Sequence, residues 1–90
     1  MARMGMDPDV VERIGTQLKS QAQQIESVIH AIEGLIGEAR AAWEGPDSQQ
    51  FTDWWNSQHR PALTNAQQAI DGLGQSAMNN AADQRAVSGQ

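Results

Sequence analysis

His30 and His59 are the side chains best suited by type to move a proton or hold a metal near neutral pH. Either task needs a second group at a defined spacing: a paired carboxylate, a cysteine or another histidine. Neither histidine has one in a recognisable motif. His30 falls on the polar side of its helix, and His59 lies beside Arg60 and Pro61. The carboxylates Asp7, Asp9, Glu12, Glu26, Glu33, Glu38, Glu44, Asp47, Asp53, Asp71 and Asp83 are spread along the chain, with no pair set for acid–base work. Ser48, Ser57 and Ser76 lie in helical context without a nucleophile elbow. No glycine-rich phosphate loop is present. These residues predict no enzyme, no catalytic residue, no metal and no cofactor.

Charge narrows the partners. The chain has 90 residues, six Lys and Arg, and a formal net charge of −5. Scattered basic residues in an acidic chain supply no footprint for nucleic acid and no cluster for an anionic membrane surface. No apolar run approaches membrane-spanning length, so membrane insertion is not expected. Residues 1–6 lack the continuous apolar segment of a secretory signal peptide, which by itself points to the cytoplasm. There is no cysteine, so disulfides cannot support a chain this small, and a partner is the remaining source of stability.

Aromatic residues carry the remaining candidate for function, which is binding. Trp43, Phe51, Trp54 and Trp55 converge on the middle of the chain. Rings at helical spacing usually fill a core, but exposed tryptophan is also a frequent hot spot of recognition. Trp54 and Trp55 are adjacent, about 100° apart on a helix, so one of the two should point outward.

The elements that position these rings follow from pattern. Trp43-Glu44-Gly45-Pro46-Asp47 holds the turn chemistry of the middle of the chain. Gly45 is suited to the left-handed closure of a helix, and Pro46 presets the start of the next. Asp47 followed by Gln50 reads as a capping pair. Upstream, Asp7-Pro8 opens a helix over about 8–43. Its seam is Val11, Ile14, Leu18, Ile25, Val28, Ile32, Leu35, Ala39 and Ala42, in alternating steps of three and four with one polar break at Gln21. A second row, Ala22, Ile29, Ile36 and Trp43, widens the stripe beyond what a single partner helix covers. Gly34 and Gly37 are sites where helices could approach closely.

Downstream, a second helix over about 48–82 carries Phe51, Trp54, Trp55, Ala62, Leu63, Ala66, Ala69, Ile70, Leu73 and Ala77. Phe51, Ala62 and Leu73 recur in an eleven-residue step, the period of a nearly straight helix. Pro61 removes a backbone donor, so a kink or local unwinding is expected there. The turn spans about 44–47, and flexible tails are expected at 1–6 and 84–90. The fold class is all-α: a helix-turn-helix hairpin over 7–83, its broad stripe completed by another chain.

A cysteine-free hairpin of this length with Trp43-Glu44-Gly45 at its corner resembles the WXG100 family, small substrates of type VII (ESX) secretion in actinobacteria and other Gram-positive bacteria. Trp43 and Gly45 occupy the two positions that name the family, and the likeness covers roughly residues 7–83. It implies an antiparallel dimer of hairpins, a four-helix bundle formed with itself or with a sister protein. It further implies recognition by a membrane-bound secretion ATPase and export without a cleaved signal peptide, from the cytoplasm to the envelope or beyond. The residues that would fill the bundle and dimer interface are Val11, Ile14, Leu18, Ile25, Val28, Ile29, Ile32, Leu35, Ile36, Phe51, Trp54, Trp55, Ala62, Leu63, Ala66, Ile70 and Leu73.

One position departs from the family. Its export signal, Tyr-x-x-x-Asp or Tyr-x-x-x-Glu, follows the second helix, and this chain has no tyrosine. Asn79 and Asp83 are the nearest equivalent, keeping the acid and losing the ring. The expected function is a secreted type VII substrate or adaptor acting as a dimeric protein-binding hairpin. The alternative is a chaperone or scaffold hairpin that serves a larger partner inside the cell and is never exported.

Overall fold

Residues 6–88 are described by a computed structural model. The order is α1 (Pro8–Ala42), α2 (Pro46–Trp54), a π-helical turn (Trp55–His59) and α3 (Arg60–Ser88), with no strand among the described residues. The chain is all-helical: one long helix, a corner, and a second long helical arm interrupted once.

Helix α1 opens as its sequence dictates. The Asp7 carboxylate accepts from the Asp9 N–H at 3.1 Å and the Val10 N–H at 3.4 Å, and Pro8 needs no partner at the first position. The corner is built differently from the expectation. Gly45 caps α2 rather than closing α1, with Pro46 at the first helical position. Its φ of 109° and ψ of 177° lie outside the left-handed helical region. Its carbonyl accepts from the N–H groups of Ser48 (3.2 Å) and Gln49 (3.3 Å), and Asp47 makes no side-chain cap. The reason is Pro46, which drives the residue before it to extended ψ. With φ positive as well, only glycine is comfortable there. Gly45→Ala should therefore lower stability by roughly 1–2 kcal/mol, read as a lower melting temperature in far-UV circular dichroism.

The interruption of the second arm comes just before Pro61. The Arg60 N–H reaches back five residues to the Trp55 carbonyl, and the helix runs wide over one turn. A proline ring clashes with the carbonyl four residues earlier, here Ser57, and a π turn opens the ladder at that place. The local unwinding expected from Pro61 is thus a π turn centred four residues upstream.

The chain forms two compact units, each containing part of both arms: one made of residues 1–22 and 68–90, the other of residues 23–67. In the first, Gly15 and Gly74 bring the two helices together. A Cβ on Gly15 would lie 2.8 Å from the Gly74 carbonyl oxygen, and one on Gly74 would lie 2.7 Å from the Gly15 carbonyl oxygen. Ala22 and Ala81 are fully buried in the same unit. Gly34 and Gly37, the expected sites of close approach, face open space. The polar clasps are Lys19 to Gln75 (2.6 Å) and Asp71 (3.7 Å), and Arg85 to Asp9 (2.7 Å) and Glu12 (3.2 Å).

Arg85 also explains a difference at the C-terminus. A flexible tail was expected from residue 84, yet α3 continues to Ser88. Hydrogen bonds from Arg85 to Asp9, then to Glu12, tie that turn to α1 and raise the guanidinium above the usual arginine range. Arg85→Gln should speed amide hydrogen exchange at 84–88 and leave the α1 amides beyond Glu12 unchanged. Residues 1–5 and 89–90 of the expected tails lie outside the described residues.

In the unit of residues 23–67, Ile29 and Trp55 are buried and Arg60 pairs with Glu33 at 2.9 Å. The line of burial along α1 corrects the expected seam. Gly15, Ala22 and Ile29 are buried and Ile36 half-buried, in heptad steps flanked by half-buried Val11, Leu18, Ile25 and Ile32. Ile14, Val28 and Leu35 are exposed instead, at 42%, 50% and 61%. The polar break at Gln21 falls on that exposed row. The α3 seam is likewise heptad: Leu63, Gln67, Ile70, Gly74, Ala77, Ala81 and Gln84 are buried or half-buried. The eleven-residue set of Phe51, Ala62 and Leu73 lies on the exposed side, as does Ala66.

Candidate functional site

The polar side chains first considered for chemistry stay apart. His30 is exposed, with Glu26 at 3.9 Å and Glu33 at 3.7 Å, distances of loose charge proximity rather than ligation. His59 lies against Trp54, ring centroids 5.1 Å apart and the planes tilted at 51°. Among the described residues, no group of three His, Cys, Asp or Glu converges on one point. Ser57 Oγ donates to the Asp53 carbonyl at 2.7 Å, a local helical bond.

The corner gathers the rings. Trp43 lies against Phe51 at 5.4 Å and 47°. Of the two adjacent tryptophans, Trp55 points inward at 6% exposure and Trp54 outward at 58%. The expectation that one of them faces out holds, with Trp54 as that one. Ser48 and Thr52 complete the buried face of α2, and Phe51 does not: it is 39% exposed. Hydrophobic pattern cannot find Ser48 and Thr52. Their signal is spacing, a small hydroxyl residue one turn from the next, with the Thr52 hydroxyl donating to the Ser48 carbonyl at 3.1 Å and so buried at little cost.

The π turn places Trp54 and His59 together. Residues five apart on an α-helix are separated by about 140° and would not meet. The wider turn returns the chain nearer the same side, so the His59 and Trp54 rings meet in a tilted contact. Three shallow depressions meet at Trp54. One is walled by Ile32, Ile36, Phe51, Trp55 and His59, one by Trp43, Asp47, Gln50 and Phe51, and one by Gln50, Asp53, Ser57 and Gln58.

The arrangement offers exposed rings and an exposed aliphatic row, the means of binding. Of the expected interface residues, Ile29 and Trp55 are buried, and Val11, Leu18, Ile25, Ile32, Ile36, Leu63 and Ile70 are half-buried. Ile14, Val28, Leu35, Phe51, Trp54, Ala62, Ala66 and Leu73 are exposed. Asn79 and Asp83, the nearest equivalent of a signal that follows the second helix in the family, both lie within α3 on exposed positions. Asn79 accepts from the Gln75 amide at 3.0 Å.

Residues 3–86 match the family described as WXG100, proteins of 100 residues with WXG. No curated protein matches. Among solved structures the chain is similar to the secreted protein EsxB of Bacillus anthracis strain Sterne. A selenomethionine-labelled form has a TM-score of 0.85 at 24% identity, with 98% of this chain and 99% of that chain covered. A point mutant of EsxB has a TM-score of 0.84 at 24% identity, covering 98% and 96%. At that identity the likeness speaks for the fold. Trp43-Glu44-Gly45, the Trp-X-Gly of this chain, lies within the matched residues.

Proposed function

This chain belongs to the WXG100 family, and from that membership we propose that it is a substrate and adaptor of a type VII secretion system, working as a hairpin paired with a second hairpin. The observation that carries the pairing is the exposed heptad row Ile14, Val28 and Leu35 on α1. Large aliphatic residues on a seven-residue spacing, broken here only at Gln21, are what a helix presents to a neighbour, and among the described residues they are left exposed. The inner seam is thin as well. Its buried apolar residues are Ala22, Ile29, Trp55 and Ala81, two of them alanines, so a partner supplies burial that the hairpin lacks. Leu73, 58% exposed on α3, adds to what a second chain would cover.

Pairing closes two hairpins into a four-helix bundle, with itself or with a sister protein. The bundle then leaves the cytoplasm folded, through a membrane-bound secretion ATPase. Asn79 and Asp83 stand in the place of the export signal, one helical turn apart and exposed on α3. With no tyrosine in the chain, a sister protein carrying the complete signal is the natural companion.

Light scattering on a sizing column tests the pairing: twice the 9.8 kDa chain mass means self-pairing. A helical species at the single-chain mass means that a sister protein is required. Export is tested by deleting the secretion ATPase in the native host, which should abolish the protein in culture medium. The missing tyrosine favours one other reading, a hairpin that serves a larger protein and stays in the cell. Unchanged extracellular levels after the deletion would rule out type VII export, and absence from the medium of the parent strain would select that reading.

A further inference from the structure

The net charge of −5 is not spread evenly. Within residues 23–67, Glu26, Glu33, Glu38, Glu44, Asp47 and Asp53 face only Arg40 and Arg60. Arg60 is taken by Glu33 at 2.9 Å, and His30 lies between Glu26 and Glu33. Glu38, Glu44, Asp47 and Asp53 have no cation within 4 Å among the described residues. Arg40 lines the neighbouring polar cleft with Glu44 and Asp53 but pairs with neither. In the other unit, by contrast, Asp9, Glu12 and Asp71 are each paired with a basic side chain.

Two of the unpaired acids flank the exposed rings. Asp47 lines the depression between Trp43, Phe51 and Trp54, and Asp53 lines the adjoining one, which shares Gln50 and Trp54 with it. The third depression, about 310 Å³, is aliphatic and aromatic, walled by Ile32, Ile36 and Phe51. Asp47 and Asp53 are six residues apart, so they stand roughly 9 Å apart along the α2 axis. The surface thus has an apolar centre, Trp54, with two unpaired carboxylates lining the depressions next to it.

We propose that this corner surface docks a basic amphipathic helix of a separate protein. Apolar side chains of that helix would seat in the depressions around Trp54, and its Lys or Arg residues would meet Asp47 and Asp53. Charge complementarity selects this occupant. An acidic or neutral helix leaves two carboxylates beside a drying apolar contact, which is costly, whereas a basic one neutralises them. A second copy of this acidic chain would bring like charge to the same place. The depressions around Trp54 share no residue with the row Ile14, Val28 and Leu35 that carries the pairing.

The probe is a fluorescent Leu/Lys peptide of about 18 residues with helical periodicity, long enough to form a helix on binding. Its control is the matching Leu/Glu peptide. Fluorescence anisotropy against the full chain should show saturable binding of the Leu/Lys peptide, weakened by salt, and none of the Leu/Glu peptide. Trp54→Ala should weaken binding on the order of tenfold or more, as expected of a central aromatic hot spot. Circular dichroism should find it folded, because Trp54 is exposed. The pair Asp47→Asn with Asp53→Asn should weaken binding, while Glu26→Gln with Asp83→Asn, the same change in net charge, should not. Equal loss from both pairs would reduce the effect to bulk charge and overturn the proposal. So would binding that survives Trp54→Ala. Peptide displaced as the protein self-associates would give the surface to a second copy and overturn it too. Light scattering on the same samples reads pairing separately, so failure here leaves the dimer reading standing.

Discussion

Gly15→Val is expected to lower the stability of the hairpin by about 3 kcal/mol, the upper range for overpacking, because the side chain has nowhere to go. Its Cβ would meet the Gly74 carbonyl oxygen at 2.8 Å, the Met78 backbone nitrogen at 3.2 Å and Met78 Cγ at 2.6 Å. Met78 Cγ belongs to a flexible side chain and can swing away. The Gly74 carbonyl and Met78 nitrogen are backbone inside α3, and only a separation of the two helices moves them. The reciprocal change, Gly74→Val, meets the Gly15 carbonyl oxygen at 2.7 Å and should cost a similar amount. Gly34→Ala is the control: open space surrounds that position, and replacing glycine within a helix should gain up to about 1 kcal/mol. Urea unfolding followed by far-UV circular dichroism reads all three. A Gly15→Val midpoint equal to that of the parent would mean that the helices do not approach at this pair.

Trp55→Ala should be the most damaging single change at the corner, by roughly 3–5 kcal/mol. Trp55 is 6% exposed and is the largest of the buried apolar side chains, whose others are two alanines and one isoleucine. Its removal takes away the most deeply buried ring in residues 23–67 and leaves a cavity beside the π turn, where the backbone is already irregular. In a domain of this size the loss corresponds to a fall in melting temperature on the order of 20 °C. Trp54→Ala, one residue earlier, should shift the melt by little, because that ring is 58% exposed. Equal melting of the two variants would show that the tryptophans share the core.

Much of the chain could be read directly from its residues. Asp7-Pro8 states a helix start because a carboxylate cap and a proline at the first position act locally, and the structure begins α1 at Pro8. Trp43-Glu44-Gly45-Pro46 states a corner for the same kind of reason. The family is legible there too, because the motif stands at the junction of two helical stretches. Even the inner row of α1 was in view, as Ala22, Ile29 and Ile36 behind the stronger apolar signal of Ile14, Val28 and Leu35.

Choosing between those rows needed the second helix. Periodicity says that a helix has an apolar stripe; it does not say which edge of a wide stripe meets the second arm of the same chain and which stays exposed. Gly15 and Gly74 decided it, since only residues without a Cβ admit backbone carbonyls at that distance, and a hydrophobicity pattern gives glycine no weight. The same blindness hid Ser48 and Thr52 in α2, and Gln67 and Gln84 in α3, polar residues on a buried or half-buried seam. At the corner, the sequence called for glycine but misassigned its role, because the cap is set by how Pro46 constrains the preceding residue. The C-terminal turn needed Asp9 and Glu12 from the other end of the chain, contacts across more than 70 positions that no local reading contains. What the sequence by itself determined was therefore local: helix starts, the corner, and the presence of too much apolar face for one hairpin. What the tertiary structure decided was which face is spent inside the chain, because that depends on how closely two backbones can approach.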